Sequence, residues 1–126
     1  MNTILHIETA TKNCSVALSR NGKQIALVEK FSMEYSHSEQ LHGFIQQVFE
    51  KANLNLSDLD AVAVSKGPGS YTGLRIGVAA AKGICFALDL PLLGVNSLQV
   101  ITEIYQPLSN EILFPMFDAR RMEVYS

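Results

Sequence analysis

A chain of 126 residues fits one domain of ordinary size and can bury a core without a disulfide or metal staple. At 48 % hydrophobic and 17 % charged its composition is globular, and no run approaches the roughly 18 uninterrupted apolar residues of a membrane span. A formal charge of -2 supplies no overall basic field, so any nucleic acid would have to be held by a local patch or through another protein.

Met1 leads directly into "ILHIETA", which is too short for a secretory apolar segment and precedes no small-residue cleavage site, so the expected compartment is the cytoplasm. The first 31 residues predict a three-stranded meander, "ILHIETA", "CSVALSR" and "KQIALVEKF", punctuated by "TKN" and "NG". Asn21-Gly22 is a hairpin signal, because both residues tolerate the positive φ of a type I′ turn. In "HSEQLHGFIQQVFEKANL", Leu41, Ile45, Val48, Phe49 and Ala52 recur at helical spacing, giving an amphipathic helix that ends near Asn53, with Ser36 or Ser38 as its cap.

"DLDAVAVSKGPG" reads as a central buried strand closed by Gly and Pro. A helix is expected from about Ser70 to Leu88, then a strand in "LPLLGV" and a short helix in "NSLQVITEIY". Three strands followed by alternating helices and strands make an α/β layer architecture. The tail "ILFPMFDARRMEVYS" repeats the pattern of the opening "ILHIETATKNCSVAL", with Asp118 standing where Glu8 stands first. That weak internal repeat predicts a first lobe over residues 1–107 and the truncated start of a second over 108–126.

The stretch "SKGPGSYTGLRIGVAAAKG" fits neither the P-loop nor the dinucleotide fingerprint, because no register supplies Gly-Lys-Ser/Thr and position 72 is Thr rather than the third Gly. An anion could be held at the start of its helix, with Ser70, Thr72 and Arg75 nearby. Packing is the other reading. Gly73, Gly77 and Ala80 or Ala81 lie along one helix face, and glycine costs about 1 kcal/mol against alanine in a helix interior, so something must approach closely there. The sheet beneath and a second helix are both candidates.

Glu8, Thr9 and Thr11 end a strand at a tight turn, where a carboxylate and hydroxyls can orient a hydrated metal or contact phosphates; ordinary turn chemistry explains them as well. His37 and His42 sit about 140° apart around a helix and cannot face one metal ion, and His6 reads as a satisfied strand histidine. Cys14 and Cys85 carry no redox or zinc spacing and are expected as buried, reduced thiols. No Gly-x-Ser-x-Gly nucleophile elbow occurs.

The blocks "ILHIETATKNCSVAL", "SHSEQL", "AVAVSKGPGSYTGLRIGVAAAKGICFALDLPLLGVNSL" and "MFDARRMEVY" together resemble the bacterial TsaB family, also called YeaZ. The resemblance implies a lobe of the actin, hexokinase and heat-shock ATPase type (ASKHA, ribonuclease H-like), with a mixed five-stranded sheet, a three-stranded meander and flanking helices. It implies a non-catalytic scaffold in the machinery that places threonylcarbamoyl on adenosine 37 of tRNA, pairing with itself or a TsaD-like subunit and working with a TsaE-like ATPase, with tRNA met only indirectly. The expected contact between chains is made by Gly73, Leu74, Gly77, Val78 and Ala81. Candidate nucleotide or anion contacts are Glu8, Thr9, Thr11, Ser70, Arg75 and Asp118, with ATP or ADP and Mg at the level of the complex and no metal site in the chain itself. The competing readings are a nucleotide-binding ATPase or phosphotransferase lobe and a glycoprotease-like metallopeptidase. Position 8 is Glu where many relatives carry Asp, which counts against intact nucleotide chemistry.

Overall fold

In the computed structural model, which describes residues 2–31, 37–97, 117–120 and 123–125, the chain opens with β1 (Thr3–Glu8), β2 (Asn13–Arg20) and β3 (Lys23–Phe31). β1 and β2 run antiparallel with Leu5 opposite Leu18 and Ile7 opposite Val16. β2 and β3 do the same, with Val16 opposite Val28. Asn21 and Gly22 take φ values of 54° and 82°, the backbone that an Asn-Gly hairpin turn requires.

After α1 (His37–Ala52) and a 3-10 turn at Leu56–Asp58, β4 (Ala61–Gly67) inserts beside β1, α2 (Tyr71–Leu88) returns the chain, and β5 (Leu92–Asn96) pairs with β4. β4 is parallel to both neighbours. The sheet order is β3-β2-β1-β4-β5, the mixed five-stranded sheet that the family resemblance implies. Ala61 to Ser65 are buried on both faces, which is why this strand is a continuous apolar run rather than an alternating one.

Both helices lie over one face of the sheet, α1 across β2 and β3 and α2 chiefly across β4. Leu5, Ile7, Val16, Leu18, Val28, Val62 and Val64 rise from the strands to meet Leu41, Ile45, Val48 and Phe49 of α1 and Ala81 and Cys85 of α2. Cys14 and Cys85 are free and buried. By length and composition α2 could cross a membrane, yet Arg75 and Lys82 are exposed on it and Gly73, Gly77, Ala81 and Cys85 are buried, as in a helix packed on a sheet.

Near the end of the chain β6 (Phe117–Arg120) and β7 (Glu123–Tyr125) pair antiparallel, Asp118 opposite Val124. The strand-turn-strand repeat read in the sequence therefore has a backbone counterpart, although the side chains of these strands, Asp118 included, lie outside the described residues. So do Ser36, the helix expected in "NSLQVITEIY" beyond Ser97, and the boundary expected at 107/108.

Candidate functional site

The turn after β1 and the glycine-rich loop after β4 are fastened to each other. Ser70 donates its backbone N–H to the Ala10 carbonyl at 2.7 Å. A Cβ on Gly69 would fall 2.7 Å from both the Cβ and the carbonyl oxygen of Ala10, so only glycine allows the loop to lie this close. Thr9, fully buried, donates its hydroxyl to the Gly73 carbonyl at 2.6 Å. A Cβ on Gly77 would overlap that same Thr9 hydroxyl and touch Ile7.

The carboxylate of Glu8 is likewise engaged. One oxygen accepts the Ala10 N–H at 2.9 Å, and the other accepts the hydroxyl of Ser65, a 3 % exposed residue at the end of β4. Thr11 accepts the Asn13 N–H at 3.3 Å. Ser70 caps α2 by accepting the Gly73 N–H at 3.1 Å, and Arg75 lies over the Tyr71 ring, 5.5 Å from its centroid, on the outer side of the helix. Glu8, Thr9, Thr11 and Ser70 are thus brought to one end of the sheet, but as structural partners. Thr9 offers no hydroxyl to a nucleotide, and Arg75 faces away with Tyr71. Among the described residues no three His, Cys, Asp or Glu side chains converge.

The faces of α2 answer the question that its glycines raise. Gly73, Gly77 and Ala81 are buried, and a Cβ on Gly77 would meet Thr9 and Ile7, so the close approach that glycine permits there is to the chain's own first strand and the turn after it. A Gly77→Leu change would strike Thr9 and so tests the fold. Leu74 and Val78 are half-buried on the flank, Val78 packing against the core. The outer face belongs to Tyr71, Arg75, Ala79, Lys82 and Phe86, all exposed, with Tyr71 at 74 % and Phe86 at 91 %. Sequence reasoning missed four of these five; their recurrence at helical spacing was the signal, masked because leucine and valine flank the glycines more conspicuously.

On the opposite side of the sheet, His6 shares its ring Nε2 with the Ser19 hydroxyl at 2.7 Å, the satisfied strand histidine that the pattern predicts. Burial lowers its pKa from the usual 6.5. Ser65, unnoticed in the sequence, matters here because it reaches Glu8 across 57 positions, a pairing no local pattern encodes.

Residues 32–126 match the family model of TsaD, tRNA N6-adenosine threonylcarbamoyltransferase. The chain is 34 % identical to the tRNA threonylcarbamoyladenosine biosynthesis protein TsaB of Haemophilus influenzae, over 98 % of its own length and 52 % of that protein's. It is 35 % identical to the tRNA N6-adenosine threonylcarbamoyltransferase of Bacillus subtilis, over 89 % of its own length and 36 % of the relative's. The solved structure of YeaZ from Pseudomonas aeruginosa superposes with a TM-score of 0.76 at 33 % identity, covering 82 % of this chain and 47 % of that one. The chain spans about half the length of the TsaB proteins it matches. Its five-stranded sheet with paired helices, the match to the TsaD model and the likeness to solved YeaZ make this an ASKHA-type lobe, and the chain belongs to the TsaB (YeaZ) family.

Proposed function

We propose that the chain serves tRNA threonylcarbamoyladenosine biosynthesis as a non-catalytic partner lobe, docking a TsaD-like subunit, or a second copy of itself, through the surface that α1 and α2 share. The observation that carries this reading is the outer face of α2, where Phe86 is 91 % and Tyr71 74 % exposed beside small residues. Large aromatics left in water cost about 25 cal/mol per Å² of apolar surface that a partner would remove. The commitment of Thr9 and Glu8 to internal hydrogen bonds supports a structural rather than a catalytic role. A TsaE-like ATPase, with ATP or ADP and Mg, enters this reading at the level of the assembled complex, in the cytoplasm, and tRNA is contacted through the other subunits.

The test mixes the purified chain with the B. subtilis threonylcarbamoyltransferase and follows association by size-exclusion chromatography. A complex is expected with the wild type and not with Ala79→Trp, which places an indole at the middle of the exposed face without touching the core. No complex with the wild type, or one indifferent to Ala79→Trp, would refute the docking.

A further inference from the structure

We infer that β5 accepts an extended peptide strand carrying a carboxylate, which adds to the outer edge of the sheet and pairs its acid with Lys66. β5 stands last in the sheet order, and among the described residues no strand pairs with its outer side. Val62 donates its N–H to the Pro91 carbonyl at 3.2 Å. Backbone groups alternate sides along a strand, so Leu93 and Val95 turn theirs inward to β4, while Leu92 and Gly94 turn theirs outward. The outward N–H and carbonyl groups of Leu92 and Gly94 are spaced as an incoming strand requires.

The two edges of the sheet are built differently. β3 carries Lys23, Glu29 and Lys30, and Lys51 of α1 donates to the Leu27 carbonyl at 3.3 Å. Charges and an occupied acceptor keep a further strand away from that edge. Leu92 to Asn96 contain no charged residue and no proline, so nothing of the kind guards β5.

The faces of β5 specify the side chains of the added strand. Parallel partners share a face, so Leu93, opposite Ala63, lies on the side of His6, away from the helices. It is 43 % exposed there, and Val95 lines the adjoining groove of about 440 Å³. Gly94, opposite Val64, faces the helix side. A Cβ on it would stand 3.1 Å from Cδ of Lys66 and 3.7 Å from its Cβ. The lysine stem therefore runs over Gly94 and delivers its ammonium to β5, one strand beyond its own backbone. Lys66 is exposed and makes no ion pair among the described residues. A strand of alternating character fits both faces, with a carboxylate toward Lys66 and apolar neighbours turned to Leu93 and Val95. A second copy pairing through β5 about Gly94 would instead set two Lys66 ammoniums side by side. Glu8 would not offset them, being on the other face and engaged by Ser65, and Asp89 precedes the far end of the strand.

The experiment titrates the isotope-labelled chain with an acetylated, amidated peptide, Thr-Val-Glu-Val-Thr, and with its Thr-Val-Lys-Val-Thr counterpart, and follows amide hydrogen exchange by NMR. At saturation the Glu peptide is expected to slow exchange at Leu92 and Gly94 by at least about tenfold, leaving Leu93 and Val95, already in the ladder, unchanged. At about 50 mM NaCl it should bind at least about fivefold more tightly than the Lys peptide, and Lys66→Glu should reverse that preference. Gly94→Pro removes an outward N–H and leaves the inward ladder whole, so it should abolish binding. Gly94→Ala displaces the lysine stem equally but keeps the N–H, and should still bind. Exchange at Leu92 and Gly94 that is already slow in the free chain would show an edge paired from within and overturn the inference. So would exchange that neither peptide alters, or equal binding of both peptides with no response to Lys66→Glu. Protection that grows with chain concentration in the absence of peptide, with a dimer in sedimentation, would assign the edge to a second copy and overturn it too.

Discussion

Thr9 and Gly77 show how one hydroxyl can dictate a distant residue. Because the Thr9 hydroxyl occupies the space where a Gly77 Cβ would stand, Gly77→Ala forces either α2 outward or Thr9 out of its bond to the Gly73 carbonyl. Overpacking of this kind costs about 1 to 3 kcal/mol, and a lowered Tm is expected. Gly43→Ala, in α1 with open space around it, should instead stabilise by up to about 1 kcal/mol. Equal effects at the two positions would refute the assigned packing. His6 makes a separate prediction in pH. Its folded pKa is lowered from 6.5 by burial, so on acidification the unfolded chain takes up a proton near 6.5 and the folded chain only at lower pH. The contribution is whole above 6.5 and is lost as pH falls from there through the folded value. Urea melts from pH 8 downward should show stability declining below 6.5 with a smaller slope in His6→Gln; identical slopes would remove His6 as the source.

Among the elements, the hairpin at Asn21-Gly22, β3 from Lys23 to Phe31 and the helix capped by Ser70 were all legible in the sequence, because each rests on a local pattern of period two, period 3.6 or a positive-φ turn. The inward face of α2 was not. Leucine and valine usually mark the buried side of a helix, but here Gly73, Gly77 and Ala81 take that side because Thr9 rises from the end of β1 beneath them. That choice depends on a residue 64 positions away, which no periodicity within the helix can report. The cap itself is open to measurement. Ser70 bonds the Gly73 N–H through its side chain and the Ala10 carbonyl through its backbone, so Ser70→Ala removes the first and keeps the second. A loss of about 1 kcal/mol is expected, largely restored in Ser70→Asp. A loss unrelieved by Asp would mean that the side chain does something other than cap.

For the whole molecule, the α/β layering was legible from the succession of strands and helices and the mixed five-stranded sheet from the family resemblance, whereas the ties that close the sheet at one end, Glu8 to Ser65 and Gly69 against Ala10, join segments nearly 60 positions apart and could only be seen folded. These ties predict how the molecule opens. Cys14 is fully buried in the core between sheet and helices, and burial pushes its thiol up to about 11. Cys85 lies in the last turn of α2, where its thiol donates to the Pro91 carbonyl at 3.5 Å and burial again raises its pKa. The thiolate is the reactive form, so at pH 8 neither should label in the closed state. Fraying of one helix turn exposes Cys85, while Cys14 emerges only when α1 and α2 leave the sheet together. Labelling with a chromogenic disulfide should therefore proceed in two phases: a Cys85 phase nearly indifferent to low urea, and a Cys14 phase whose rate climbs with urea along the global unfolding equilibrium. Assigned through Cys14→Ser and Cys85→Ser, a single shared rate at every urea concentration would mean that the end of α2 does not open separately, and that the fold comes apart as one unit.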